Sequence, residues 1–258
     1  MAAPKPVIVI IHGAFLGPPC YAKLTTTLKA AGFEVHVPEL PTLNGDRPPT
    51  TSLSGDTEFI RSYVEKLLDA GHTVVAIMHS YGGQVGSNAL AGMGTESRAA
   101  RGLKGAVSHL LYMCAFALPE ETSMIDKVTE MGHIDLIPIA YDIAEDGMTV
   151  ERSPRERLLG PWDYEEEAEA YVTSFRIWNG NAMYQKVQRC AWREIPVTYV
   201  YTSQDACVPL FYQESMVEGL RSEGVHVKTE TLETGHSPHF TMPEEVADIV
   251  KRVVDGLA

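Results

Sequence analysis

Val74-Val75-Ala76-Ile77-Met78-His79-Ser80-Tyr81-Gly82-Gly83 is the stretch on which the reading of this chain turns. Five apolar residues run into His-Ser-Tyr-Gly-Gly, and a helical pattern follows. The run predicts a strand buried on both faces of a parallel sheet. The glycines predict a sharp turn into a helix, with Ser80 at its apex. A serine placed there presents its hydroxyl clear of the sheet, with a helix N-terminus behind it, the geometry of a nucleophile elbow. One position departs from the usual G-x-S-x-G pattern. Met78 stands two residues before the serine, where tight packing calls for a small side chain.

Working outward, the same strand–helix rhythm recurs. Val7–Ile11 is a continuous β-branched run that ends in His12-Gly13-Ala14-Phe15, and a helix is expected from Tyr21 to Ala31. Phe33–Val37 reads as a second strand. The proline- and threonine-rich stretch from Pro38 to Gly55 reads as a long loop. Ser54 or Asp56 is placed to cap the next helix, whose Phe59, Ile60, Val64, Leu67 and Leu68 fall at helical spacing. His109–Met113 is a fourth strand. This alternation argues for parallel strands joined by crossovers, an α/β fold. At Ala117-Leu118-Pro119 the rhythm breaks. From there to about Trp192 the sequence predicts a mostly helical insertion over the carboxyl ends of the strands. Its Glu165-Glu166-Glu167 run is expected on a solvated helix face. The rhythm resumes at Ile195–Tyr201, and a last strand over Val225–Leu232 is followed by a final helix.

Composition narrows the class of function. The 258 residues suffice for one sizeable α/β domain, and 45% hydrophobic and 21% charged residues are ordinary for a globular protein. The net charge of −13 repels phosphate backbones and anionic bilayers, so neither nucleic acid nor a membrane surface is an expected partner. The four cysteines, at 20, 114, 190 and 207, contain no C-x-x-C pair, which leaves zinc and thioredoxin-type chemistry unsupported. Free, mostly buried thiols are expected, with a disulfide still open. Met1–Pro6 lacks a basic leader, and no apolar run is long enough for a membrane span, so a cytoplasmic protein is expected.

A serine hydroxyl becomes a nucleophile only when a base takes its proton, and the base is a histidine held in one tautomer by a carboxylate. On this fold the order is Ser, Asp or Glu, then His. Ser80, Asp205 and His236 come in that order, each just past the carboxyl end of an expected strand. Side chains from different strands converge on that side of a parallel sheet. Asp135 and Asp142 are the alternative carboxylates, with no strand before either. The oxyanion donors expected are the backbone N–H groups of Ala14 and Tyr81. Phe15, Tyr81, Trp162, Phe175, Trp178 and His239 are the candidate pocket walls. The His79 side chain is expected to point away from the site, and His36, His72, His109, His133 and His226 show no ligand spacing.

With these residues in place the chain resembles the α/β-hydrolase superfamily over nearly its full length. Within it, the chain is similar to the branch of plant methylesterases and hydroxynitrile lyases and their fungal and bacterial relatives. The stretches that carry the resemblance are Ile11-His12-Gly13-Ala14, Met78–Gly83, Ala191-Trp192 with Ile195–Tyr199, Asp205 with Val208-Pro209, and Thr234–Pro238. The resemblance implies a six-stranded, mainly parallel sheet flanked by helices, with a helical cap inserted after the fourth strand. The core would then comprise residues 1–117 and 193–258, and the cap 118–192. The (S)-selective lyases of the branch are expected to carry Thr where Gly13 stands and Lys where Ser237 stands. Gly and Ser favour hydrolysis. The expectation is a serine hydrolase of a small, largely apolar carboxylic ester or lactone, needing no metal or cofactor. A C–C hydrolase, a lyase or another non-hydrolytic enzyme on the same triad stays open, as does a ligand receptor. Nothing in the sequence sets the oligomeric state.

Overall fold

The structure is a computed structural model that describes residues 5–257. The reading of Met1–Pro6 therefore falls, for its first four residues, outside the described part. Strand β1 (Val7–Ile11) is buried at every position, as its β-branched run requires. A 3₁₀ turn at Pro18–Tyr21 leads into α1 (Ala22–Ala30). β2 is only Val35–His36, paired to Ile8 and Val9. It is shorter than expected, and it forms one edge of the sheet. α2 (Leu53–Asp69), β3 (Thr73–His79), α3 (Gly82–Ala89), α4 (Thr95–Ala99) and β4 (Ala106–Met113) follow.

The next strand of the main sheet begins only at Val197. The intervening chain forms α5 (Met124–Glu130), α6 (Ile137–Ala140), β5 (Tyr141–Ile143), β6 (Met148–Glu151), α7 (Glu165–Thr173) and β7 (Trp178–Asn179). Helices are present there as expected, but β5, β6 and β7 add an antiparallel three-stranded sheet that the sequence reading lacked. These strands are two to four residues long, too short to impose a two-residue periodicity on the sequence. The three glutamates open α7, where the helix dipole favours negative charge. Glu167 is not merely solvated: it pairs with Lys23 at 2.6 Å and accepts from Trp162 Nε1 at 3.0 Å.

β8 (Val197–Thr202), α8 (Leu210–Ser222), β9 (Val227–Leu232), a short α9 (Pro238–Thr241) and α10 (Pro243–Asp255) complete the chain. The main sheet has the order β2-β1-β3-β4-β8-β9, with every pairing parallel. Apolar cores fill both faces. One joins α2 and α3 to the sheet through Ile60, Val64 and Val85, and the other joins α1 and α10 through Leu24, Leu28, Val246 and Val250. All strands of this sheet therefore end on one side, and the loops after β1, β3, β8 and β9 meet there.

The start of α2 differs from expectation. Ser52 is its N-cap position, and no side chain caps it. The Leu53 N–H is satisfied instead by Gln185 Oε1 at 2.8 Å, from the long insertion. Asp56 is turned into the core on the same stripe as Ile60, Val64 and Leu68.

Candidate active site

Ser80 follows directly on β3 with φ at 53°, the left-handed region that a non-glycine residue occupies at a cost of about 1–3 kcal/mol. Its backbone is tied to the neighbouring strand end. The Phe116 and Gly83 N–H groups both donate to the Ser80 carbonyl at 3.0 Å, and the Ser80 N–H donates to the Met113 carbonyl at 3.4 Å. Gly82 lies so close to the Ile11 carbonyl that no side chain fits there. The misfit expected at Met78 is resolved one turn further on. The Met78 side chain is fully buried and occupies the space where a Cβ on Gly86 would stand. The small residue that this turn requires has moved from the strand to the helix.

Asp205, three residues past β8, accepts four hydrogen bonds. Oδ1 takes the Cys207 and Val208 N–H groups, each at 2.8 Å, and Oδ2 takes the Thr202 hydroxyl at 2.9 Å and His236 Nδ1–H at 2.7 Å. The side chains of this pair are 1% and 0% exposed. Donation from Nδ1 fixes the His236 tautomer and leaves Nε2 as the basic nitrogen. Burial alone would depress the His236 pKa. The charge and hydrogen bond of Asp205 outweigh it and hold the imidazole well above 6.5.

Three further histidines surround this pair, and each stays neutral because it is buried. His12 is lowered to about 4, and His79 and His239 are held well below 6.5, the latter two also by neighbouring imidazoles. His79 Nε2–H donates to the His236 carbonyl at 2.7 Å, and its Nδ1 accepts from the Tyr21 hydroxyl at 2.7 Å. The Tyr21 oxygen accepts from Gly13 N–H at 3.0 Å. One chain of hydrogen bonds thus fastens the loop after β1 to the elbow and to the His236 loop. His12 holds the first loop from the other side, with Leu40 N–H donating to Nε2 at 2.9 Å and Nδ1–H donating to the Gly13 carbonyl at 2.8 Å. His79, Cys114 and His236 bring ligand-type atoms within 4.8 Å of one another. Coordinating a metal there would break the bonds just described.

Ala14 and Ser80 border the same cavity. The Tyr81 amide opens α3, where the first N–H groups of a helix lack intrahelical acceptors. The Tyr81 ring lies elsewhere than in the pocket wall. Its hydroxyl donates to Asp56 Oδ2 at 2.9 Å. Thr42 donates to the same carboxylate through N–H at 2.9 Å and hydroxyl at 2.6 Å, and Trp178 Nε1–H donates to Thr42 Oγ1 at 3.1 Å. Burial raises the Asp56 pKa to about 6, although each of these bonds pulls it down. Asp56 therefore positions both Tyr81 and Trp178, a role the cap reading missed. The available signal was a carboxylate on the apolar stripe of α2.

The cavity has a volume of about 110 Å³ and a predominantly apolar lining, as small-molecule sites do. Phe15, Ala14, Phe116 and the Ala206–Pro209 loop form its base. Met124, Ile125, Val128, Ile137, Leu158 and Trp178, all between β4 and β8, form its roof. Of the expected walls, Phe15 and Trp178 line it. Trp162 packs on Phe240, Phe175 on Tyr171, and His239 stacks on Tyr21 at 4.1 Å, all away from the cavity. His133, Tyr141, Arg157 and Tyr212 line it without having been expected. Tyr212 lies in the first turn of α8 and Tyr141 opens β5, while His133 and Arg157 sit at short helical turns, so no common spacing marks the four. Asp135 and Asp142 are exposed, and Asp142 faces Arg152 at 3.5 Å. All four cysteines are free thiols, three of them buried. Among the described residues no helix is long and apolar enough to cross a membrane.

A parallel sheet of this order, with a serine at a strained turn after β3 and a buried Asp–His pair from the loops after β8 and β9, defines a hydrolase of the α/β type. The chain belongs to the alpha/beta hydrolase family, whose model matches residues 8–249. It is 25% identical to a probable hydrolase, R7, of a Phoma species, over 95% of this chain and 97% of that protein. It is 28% identical to the alpha/beta hydrolase nvfD of Aspergillus novofumigatus, over 96% of each. Among solved structures it is similar to the Arabidopsis methylesterase MES16, with a TM-score of 0.76 at 18% identity over 97% of this chain and 99% of that one. The α/β-hydrolase family expected from the sequence is the one found, with fungal hydrolases among its relatives and a plant methylesterase among the structures of similar fold.

Proposed function

We propose that the protein is a serine hydrolase of a carboxylic ester or lactone, working through an acyl-enzyme. The observation that carries this reading is the fully buried Asp205–His236 pair at 2.7 Å, at the same end of the sheet as a serine held at positive φ. His236 Nε2 takes the Ser80 proton as Oγ attacks the substrate carbonyl. The carbonyl electrons move onto oxygen, which the Ala14 and Tyr81 N–H groups receive. Collapse of the tetrahedral species expels the alkoxide, which takes the proton from His236. Water, deprotonated by the same nitrogen, then cleaves the acyl-serine and returns Ser80. Asp205 orients the imidazole and stabilises its cation. The sequence needs no metal or cofactor. Residues 118–192 serve as the cap over a core of 1–117 and 193–258, and an apolar substrate body fits the cavity they enclose.

Two observations favour hydrolysis over the lyase alternative. A Cβ at Gly13 would stand 3.0 Å from the Ser80 Cβ, so a threonine there would crowd the nucleophile. Ser237, at the position of the lyase lysine, is fully buried and donates to the Leu158 carbonyl at 2.6 Å. The name of the Arabidopsis neighbour, a methylesterase, agrees with this reading. The test is turnover of short-chain p-nitrophenyl esters by wild type and Ser80→Ala. Wild-type turnover that falls by roughly 10³-fold or more in the variant is expected. Stoichiometric binding with no turnover by either protein would sink the proposal and leave a receptor.

A further inference from the structure

Arg157 is the single Asp, Glu, Lys or Arg side chain among the described residues lining the cavity. It sits on a short π-helical turn at Arg155–Leu159, a geometry frequent at functional sites. Its Nε–H donates to Glu151 Oε1 at 2.9 Å. Glu151 is almost fully buried, with its side chain 3% exposed, whereas that of Arg157 is 23% exposed. The pair is therefore end-on and not a closed fork. The outer edge of the guanidinium is turned to weaker, neutral partners, the Ala206 carbonyl at 3.3 Å and the Tyr141 hydroxyl at 3.2 Å. Both bonds are long enough to yield to a better acceptor. The Tyr141 oxygen accepts a hydrogen bond from Arg157 Nη2, so its own hydroxyl proton remains to donate. Its ring stacks on Phe15 at 5.9 Å, beside Ala14. A buried ion pair is weak evidence for stability, because desolvation offsets its attraction. An ion pair at the wall of an otherwise largely apolar cavity thus calls for another reason.

We propose that Arg157 and Tyr141 form an acceptor-recognition site in the substrate cavity, and that the substrate is an apolar ester bearing a neutral carbonyl oxygen distinct from the scissile one. This rests on the serine-hydrolase reading of the same cavity. Neutrality follows from Glu151. Its carboxylate already balances the guanidinium, and a second carboxylate brought into the same low-dielectric space would add an uncompensated charge. Ketone oxygen accepts from both donors without that penalty. The remaining walls near it are Cys207, whose Sγ lies 3.9 Å from Arg157 Nη2, and the Tyr212–His133 pair, in which His133 Nδ1 is hydrogen-bonded to the Tyr212 hydroxyl at 2.9 Å.

The experiment compares p-nitrophenyl octanoate, the same ester with a ketone moved one carbon at a time along its chain, and the mono-p-nitrophenyl ester of suberic acid, which ends in a carboxylate. Binding of each to Ser80→Ala is measured by calorimetry alongside turnover by proteins with Ser80 intact. At its best position the ketone is expected to improve kcat/KM roughly tenfold over the plain ester, through KM, with a matching gain in Kd. The carboxylate ester should show no such gain. Tyr141→Phe, which removes one oxygen and no bulk, should shrink the ketone-to-plain ratio several-fold. Glu151→Gln leaves the guanidinium unbalanced, and the preference should swing toward the carboxylate ester. A merely structural ion pair would not redirect selectivity in that way. Equal handling of plain and keto esters at every position overturns the inference, as do Tyr141→Phe and Glu151→Gln variants that change all three classes alike. Absence of turnover for every ester overturns the hydrolase reading instead, and the calorimetric ratios still decide the acceptor site.

Discussion

At His236 two influences oppose each other. Burial disfavours the imidazolium, whereas the Asp205 carboxylate 2.7 Å from Nδ1 favours it, and the second prevails. In the proposed mechanism His236 is the base, and it must be unprotonated to accept the Ser80 proton. Ester turnover should therefore fall as pH is lowered through a midpoint above 6.5, and the raised pKa sets that midpoint. Asp205→Asn removes the raising influence and keeps the burial. The midpoint should then move to lower pH, and kcat should drop by roughly 10³–10⁴-fold, because the amide no longer enforces the Nδ1–H tautomer. A pH–rate profile of both proteins checks this. An unchanged midpoint in the variant would separate Asp205 from the base. The neighbouring Ser80 also explains a local choice of residue. Its left-handed φ is affordable only because the carbonyl it redirects is taken up by Gly83 and Phe116.

At the scale of elements, the elbow depends on how closely α3 rides on β3. Met78 and Gly86 share one volume, the sulfur filling the space beneath the glycine. Gly86→Ala should overpack that contact and cost about 1–3 kcal/mol in chemical denaturation. Adding Met78→Ala should recover part of the loss, a coupling that independent sites would not show. Met78 was legible as an anomaly, but its compensation was not, because strand residue and helix residue meet only in the folded chain. The same distinction runs through the molecule. Val7–Ile11 and Val74–Met78 announced themselves by continuous apolar runs, and Ser80, Asp205 and His236 by falling just past such strands in the required order. Asp56 could have been read from the α2 stripe it interrupts. Arg157, Tyr141 and the short strands β5–β7 could not, since elements of two to five residues are too short to show a period. Aromatic character alone also failed to separate walls from core. Trp178 faces the cavity, while Phe175, Trp162 and His239 complete the packing around Tyr171, Phe240 and Tyr21.

For the whole molecule, burial of histidine sets how stability and activity divide the pH range. His12 and His109 are lowered to about 4, and His79 and His239 also lie well below 6.5, each chiefly because it is buried. Between pH 6.5 and 4 the unfolded chain binds protons at these residues that the folded chain does not. Stability must then fall with pH across that window, by about 1.4 kcal/mol per pH unit for each such group. Asp56 works the other way. Its folded pKa of about 6 lies above the ordinary 3.8, so it returns stability as pH falls between those values, and Glu151, raised by burial, acts in the same direction, but these are two groups against four. His236, raised above 6.5, contributes stability that is complete below 6.5 and is lost as pH rises through its folded pKa. The stability maximum should thus lie near pH 6.5, below the pH at which the base is fully unprotonated. Urea denaturation at several pH values between 6.5 and 5 should show the midpoint dropping steadily. His109 offers the cleanest check, because its Nε2 bonds Thr198 Oγ1 at 2.8 Å between β4 and β8, away from Ser80 and its partners. In His109→Gln the slope of stability against pH should be shallower by about one proton's worth, roughly 1.4 kcal/mol per pH unit. Parallel slopes for the variant and wild type would mean that His109 is not held neutral by its burial.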